Sequence, residues 1–381
     1  MSDRPTPVGV LLRAAAPDRL PEVAAEHLRR RHGAGRVEVL LGDVTLSALR
    51  PVIDPSGPAG DALALRCFGS QRPVVGEAAG GRGSCAYLPL SVWGERLGVL
   101  SVETSLPRHP ELTDQIAAVA DDLALALRAA AGLTDRYRRA GRSQRLTMAA
   151  ELQWELLPGR SLGDERFLVA GQLEPAYAVF GDHFDWSLDG DRLTLTVLNG
   201  NGDGLEAALL TTVAVNAMRN ARRAGADIVE QAELASDALY ARYGGAAHAA
   251  TLLLEIDLVG GRVEAVDAGS PRAVIARDRE FHPVTLEQQL PLGMFGDSRY
   301  ETQRFLLEPA DRLLVVSDGV HAATPGGRAP YGESAMLTAL RRTRLQPATE
   351  AVGTVMRGLR DYHAGTDPAD DAVTVCLDWR R

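Results

Sequence analysis

Five aspartates stand at strand ends or tight turns in three widely separated places: Asp182 and Asp185 in VFGDHFDWSLDGDR, Asp318 in RLLVVSDGV, and Asp370 and Asp371 in DPADDAVTV. Glycine precedes Asp182 and follows Asp318, which lets the backbone turn sharply and aim each carboxylate at a shared site where the sheets end. Ligand sets built from oxygen alone, without His or Cys, suit hard cations such as Mg2+ or Mn2+, which in pairs activate water and clamp a phosphoryl group. Turns favour Asp and Gly for conformational reasons of their own, and one such residue would mean no more than that. Their recurrence at distant strand ends points to a site.

The stretch TVLNGNGDGLEAALL, residues 196–210, reads as strand, tight loop and helix. Such a loop holds phosphate or carries a metal-binding residue. Gly202 to Ala207 satisfy G-x-G-x-x-A, but a dinucleotide site needs a second parallel strand ending in an acid within a unit of about 30 residues. Here a second helix follows, and the next clear strand begins near Ala250. All 41 basic residues are arginine. A Walker-type phosphate loop, a protein-kinase site and a Schiff-base enzyme each need a lysine, so all three are excluded.

The 381 residues are too many for one ordinary core and suit two domains. Apolar residues at 45% and charged residues at 24% describe a folded protein rather than a disordered one. No apolar run approaches the ~20 residues that span a bilayer, and VGVLL near the start is too short for a signal peptide, so a cytoplasmic location and no membrane are expected. Three scattered cysteines, Cys67, Cys85 and Cys376, make neither a disulfide framework nor a zinc site and read as core or half-buried thiols. A net charge of −9 without a long basic patch argues against nucleic acid as a partner.

Pro21 to Arg31 form a short amphipathic helix, followed by RVEVLLGD and TLSALRPV as strands turning at Gly42-Asp43. After a second helix near GDALALRCFGS come two extended runs in SCAYLPLSVWGERLGVLSVE, joined at Gly94-Glu95. A helix follows in which Ile116, Val119, Ala120, Leu123 and Leu127 share one apolar face. The run YLPLSVWGERLGVLSVE resembles the closing hairpin of GAF domains, and the order of elements over roughly residues 5 to 130 is theirs too. That resemblance implies a domain that binds a small ligand or mediates dimerisation. No ligand can be named from these residues, and a purely structural GAF domain stands beside the sensing one.

Residues 131–158 are arginine-rich and helical, with Leu146, Ala149, Ala150, Gln153, Leu156 and Leu157 as a broken apolar stripe; Pro158-Gly159 stops the helix. Two such stripes could pair as a short coiled coil, which Gln153 and the alanines would weaken. Beyond Gly159 come β-branched runs, RLTLTVL, ATLLLEIDL, RVEAVDA, RAVIAR, RLLVVSD and DAVTVCLD, with helices over 205–223, 228–243 and 347–363. Strands grouped apart from helices mean an α+β fold, antiparallel sheets flanked by helices. The expected organisation is a GAF-like sensor or dimerisation domain at 1–130, a connecting helix at 131–158 and a phosphatase-like β-sandwich flanked by helices at 159–381.

Over residues 145–379 the chain resembles the SpoIIE-like, RsbU-type branch of the PPM or type 2C metal-dependent serine/threonine phosphatases. AAELQWELLP is similar to that branch's first helix, FGDHFD to its GGDWYD, and NGNGDGLEAALL to its DVSGHGLEAAL. DAGSP stands for AGHPP, EPADRLLVVSDGV for PGDRLLLYTDGV and DDAVTV for DDITLL. Carried over by position, the resemblance implies Asp182, Asp318 and Asp370 as metal ligands, with the Gly200 carbonyl near two Mn2+ or Mg2+ ions. The fourth carboxylate, which in the family lies between the two ions, falls at Asn199. An amide offers one neutral acceptor oxygen and removes a charge, so metal affinity should drop. Asp203 stands for the loop histidine and Ser270 for that of AGHPP; Asp185, Asp203 and Asp371 are the residues that could compensate or support the site.

The resemblance implies hydrolysis of phosphoserine or phosphothreonine on a protein by metal-activated water, the partner being a phosphorylated anti-sigma-factor antagonist. Asn199 opens a second reading: a pseudophosphatase that keeps the fold and binds its partner without turnover. If the first domain and the connecting helix hold a homodimer, deleting residues 1–140 should change the oligomeric state seen by light scattering from dimer to monomer. Equal oligomeric states for the full chain and the fragment would leave that helix a tether.

Overall fold

The computed structural model describes residues 6–380 except 44, 45, 47, 79–82, 106–109, 143–145, 175–178, 270 and 367. The chain divides into two compact units, Met1–Arg145 and Leu146–Arg381. The first runs α1 (Val8–Ala14), α2 (Leu20–His32), β1 (Val37–Gly42), β2 (Leu49–Pro51), α3 (Ala62–Ser70), β3 (Val74–Glu77), β4 (Ser84–Val92), β5 (Glu95–Thr104), α4 (Pro110–Ala130) and α5 (Arg136–Ala140). Its sheet has the order β2-β1-β5-β4-β3 and is antiparallel at every described pairing.

Strand alternation assigns the two faces of this sheet. Val37, Val39 and Leu41 of β1 face α1, α2 and α4, where the expected stripe Ile116, Val119, Ala120, Leu123 and Leu127 is buried. Leu40, Cys85, Tyr87 and Val99 face the other way and are covered by Ala64, Cys67 and Phe68 of α3. All three cysteines are buried, and burial pushes the thiols of Cys67 and Cys376 up to about 12, so neither is a nucleophile at neutral pH.

The second unit runs α6 (Met148–Leu156), β6 (Ser161–Gly163), β7 (Phe167–Glu174), β8 (His183–Asp189), β9 (Arg192–Gly200), α7 (Gly204–Arg223), α8 (Ile228–Tyr243), β10 (Ala249–Asp257), β11 (Arg262–Ala268) and β12 (Arg272–Arg277). It continues with β13 (Glu280–Pro283), β14 (Gln303–Leu306), β15 (Arg312–Val316), α9 (Asp318–His321), α10 (Ala335–Arg342), α11 (Ala348–His363) and β16 (Ala372–Trp379). Two antiparallel sheets, β14-β11-β10-β9-β8 and β13-β12-β15-β16-β7-β6, pack face to face. Between them lie Phe167, Phe184, Leu195, Leu254, Val315 and Val375. α7 and α8 cover the outer face of the first sheet, and α10 and α11 that of the second.

The helix expected over 131–158 is, among its described residues, two short helices, α5 and α6; Gly132 and Gly141 fall in the intervening turns, where glycine costs a helix about 1 kcal/mol. β7 escaped the sequence reading because seven of its eight residues are buried, leaving no alternation to read. β3, β6, β13 and β14 are too short to show a period. β10 returns antiparallel to β9, directly after α8, which rules out the parallel crossover a dinucleotide fold requires.

Leu254, 1% exposed, sits where the two sheets meet. Leu254→Ala should destabilise the unit by about 2–5 kcal/mol, seen as a lower denaturation midpoint at unchanged slope. A midpoint equal to wild type would contradict the packing described.

Candidate functional site

Asp182 directly precedes β8, Asp318 follows Ser317 at the end of β15 and opens α9, and Asp370 and Asp371 directly precede β16. The two sheets bring these ends together. Gly181 has φ +92°, so the turn into Asp182 does use a left-handed glycine. Gly319 acts differently from expectation: a Cβ there would lie 1.8 Å from the Asp371 carbonyl oxygen, so its value is close backbone approach, not a sharp turn. Ser317 closes the same junction, its N–H donating to the Val373 carbonyl and its Oγ accepting the Val373 N–H, each at 3.0 Å.

Asp182 is wholly buried, and among the described residues neither carboxylate oxygen has a hydrogen bond of ordinary geometry, the Ser317 hydroxyl being the polar group that acts on it most closely. Burial first, then the charges of Asp370, Asp318 and Asp371, push its pKa well above the usual carboxylate range, with the Ser317 hydroxyl acting the other way. Asp370 is pushed up to about 7, by burial and then by Asp318. Asp318 thus acts on both Asp182 and Asp370.

Asn199 is the last residue but one of β9, where the ladder pairs it with Ala250 and holds its backbone in place. Its Nδ2 donates to Asp318 Oδ1, which also accepts the Gly319 N–H at 3.0 Å. Gly200 is buried beside it, its N–H donating to the Gly181 carbonyl at 3.3 Å.

Two of the three supporting candidates are engaged elsewhere. Asp371 is 0% exposed, and its Oδ2 accepts from Gln153 Nε2 at 2.8 Å and from the backbone N–H groups of Phe180 at 2.8 Å and Gly181 at 3.1 Å. It positions the site and has no capacity left on that oxygen. Asp185 pairs with Arg219 at 2.7 Å and Arg222 at 3.1 Å on α7, away from the other acids. Asp203 is exposed at the N-cap of α7 and is not among the charges acting on Asp182 or Asp370. Ser270 lies outside the described residues.

Gln153 went unrecognised as a site residue in the sequence. It is 1% exposed, and its Nε2 bonds both Asp371 and the Asp182 carbonyl, the latter at 2.7 Å. The available signal was a polar side chain inside an otherwise apolar stripe. A groove of about 460 Å³ opens beside Asp318 and Asp370, lined also by Thr324, His363 and Thr366.

A buried carboxylate without a partner is costly unless a positive charge sits beside it. The donors here are all oxygen, and they fit a hard divalent cation. Among the described residues, no three His, Cys, Asp or Glu side chains are set in place to hold an ion together. An ion here would keep several waters.

The second unit is thus an antiparallel sandwich flanked by helices, with acids gathered at one end. A family model described as Stage II sporulation protein E (SpoIIE) matches residues 189–380, half of the chain. The chain belongs to the SpoIIE family, and this stretch is its SpoIIE-type phosphatase domain. Asp182 and Asp185 precede the matched stretch. Among solved structures, the RsbU and RsbW domains of Rv1364c from Mycobacterium tuberculosis share 24% identity, with 56% of this chain and 60% of that one covered and a TM-score of 0.46. The phosphatase domain of SpoIIE from Bacillus subtilis, with a fragment of its regulatory domain, shares 18% over 57% and 65%, with a TM-score of 0.49. RsbX in complex with magnesium shares 16% over 58% and 98%, with a TM-score of 0.45. No helix among the described residues is long and apolar enough to cross a membrane.

Gln153→Ala removes a donor from a buried carboxylate, at a cost of about 1–3 kcal/mol. Denaturation should show that loss, and the amides of Phe180 and Gly181 should exchange with solvent faster. Unchanged exchange at both would mean that Asp371 does not need Gln153.

Proposed function

We propose that this chain is a metal-dependent protein serine/threonine phosphatase of bacterial signalling, with attenuated activity. The observation that carries the reading is Asp182, buried with two unpartnered oxygens beside Asp370 and Asp318. Mn2+ or Mg2+, when bound, would supply an activated water and neutralise the phosphoryl group. Asp182 and Asp370 would hold it, with Asp318 and the Gly200 carbonyl close by. Gln153 and Asp371 keep the loop at Phe180 and Gly181 in place, so Asp182 is presented in one orientation. The groove beside Asp318 has room for a phosphorylated side chain and its flanking backbone.

The substrate in this reading is a phosphorylated protein such as an anti-sigma-factor antagonist, in line with the chain's family. Residues 1–130 act as a GAF-like sensor or dimerisation domain. Phe68, Cys67 and Tyr87 fill the space beneath α3 with side chains, which favours the dimerisation role over a small ligand. Asn199, hydrogen-bonded to Asp318 through Nδ2, favours the second reading, a pseudophosphatase that binds its partner without turnover.

The full chain should hydrolyse a phosphoserine protein slowly with Mn2+ and not with chelator. Asp182→Ala should lose Mn2+ binding and turnover, and Asp318→Ala should lose turnover. Asn199→Asp should raise the rate by about tenfold or more, since a charged ligand in place of a neutral one is worth upwards of about 1.4 kcal/mol. A wild type that is inert while Asn199→Asp turns over would establish the pseudophosphatase; Mn2+ affinity unchanged in Asp182→Ala would return these acids to ordinary turn residues.

A further inference from the structure

We infer that the second unit carries a separate binding site for a small phosphomonoester bearing hydroxyl groups, at the end of its first sheet remote from the acid cluster. The inference does not depend on the phosphatase reading. A cavity of about 580 Å³ lies between the outer face of that sheet and the turn from α7 to α8, a size that suits a small ligand. The strand register explains why it is there. Side chains alternate along a strand, so with Trp186, Leu195 and Leu254 inside the sandwich, Ser187, Thr194 and Glu255 face the helices. The ladders set these three directly opposite one another across β8, β9 and β10. Nearer the acid cluster the same outer face carries Leu198 and Leu253, which pack under α7 and α8. Further along, beneath the end of α7 at Arg223, the face turns polar.

Arg222 and Arg223 supply the charge on the helix side. Arg219 binds both oxygens of Asp185, at 2.7 and 3.2 Å, and Arg222 Nη2 donates to the same carboxylate at 3.1 Å. Two guanidinium groups thus share one carboxylate, which leaves a positive charge over and holds Arg222 in place with N–H groups to spare. Arg223 is exposed, and among the described residues its side chain has no hydrogen bond or ion pair. Two guanidinium forks suit a phosphomonoester, which offers three acceptor oxygens where a carboxylate offers two. The start of α8 does not compete for the anion, because Asp227 and Glu230 cap it as a reciprocal box. Acceptors wait on the same cavity. Gln231 is 1% exposed; its Nε2 donates to the Ala226 carbonyl at 3.0 Å, and its Oε1 is buried without a partner among the described residues. Glu255 meets Arg192 only at 3.8 Å, too far for a hydrogen bond. A bare anion would leave both acceptors unmet, whereas hydroxyl groups on the ligand donate to them.

The test is calorimetric titration of ribose 5-phosphate into the full chain after chelator treatment and dialysis. Without a cation, the acids at the other end of the sheet repel a phosphate, so that end does not contribute. One molecule per chain should bind, more weakly as salt rises. Arg223→Gln should lower the affinity about tenfold, the loss of one charge-assisted contact. Arg223 bonds nothing else in the protein, so this variant keeps the fold. Thr194→Val, which removes a hydroxyl from the floor of the cavity at equal size, should weaken binding too. Arg357→Gln, an exposed arginine on α11 over the other sheet, should change nothing. Inorganic phosphate should bind more weakly than ribose 5-phosphate. No binding to wild type, full affinity in Arg223→Gln or Thr194→Val, or an equal loss in Arg357→Gln would overturn the site. Inorganic phosphate bound as tightly as ribose 5-phosphate would overturn the assigned ligand class.

Discussion

The carboxylate of Asp371 is the knot on which the site depends. Charge buried this completely is tolerable only when saturated with donors, and three N–H groups from two distant places in the chain reach one oxygen. One comes from Gln153 on α6, and two come from the turn leading into Asp182. The backbone of the same residue lies so close to Gly319 that no side chain fits between them. Asp371 therefore fixes three things at once: the seat of α6, the approach of the loop before β8, and the start of α9 where Asp318 stands.

What that knot positions is a repulsive cluster. Asp370 and Asp318 raise the proton affinity of Asp182, Asp318 raises that of Asp370, and among the described residues no cation is bonded to Asp182. The protein tolerates this cost because two packed sheets with a continuous apolar interior hold the strand ends rigidly. Asn199 relieves part of the repulsion by donating to Asp318. If the proposed reading holds, the same hydrogen bond would stabilise the fold at the expense of cation binding, a trade of activity against stability at one side chain.

The arginine content bears on this balance. With no lysine in the chain, every buried acid that needs a cation must find a guanidinium, whose planar fork binds carboxylates through two parallel bonds. Asp185 finds Arg219 and Arg222 in this way, and the same Arg219 reaches the Leu156 carbonyl at 2.7 Å at the end of α6. Among the described residues, no guanidinium bonds Asp182. That contrast separates an acid satisfied by its protein partners from one that is not.

By itself the sequence determined the local matters: β-branched runs became strands, the periodic apolar stripes of α4, α7 and α11 became helices, and the acids at strand ends were visible as acids at strand ends. These follow from short-range sterics and from which side chains leave water, both written in neighbouring residues. Only the tertiary structure decided which acid does what. Asp370 and Asp371 are adjacent and Asp182 and Asp185 lie three apart, odd spacings that send the members of each pair to opposite sides of an extended chain. One of each pair met the cluster, while the other met Gln153 or Arg219, partners supplied by α6 and α7 from elsewhere in the chain. A carboxylate's chemistry is set by what stands within a few ångströms of it, and those neighbours arrive only when distant segments pack.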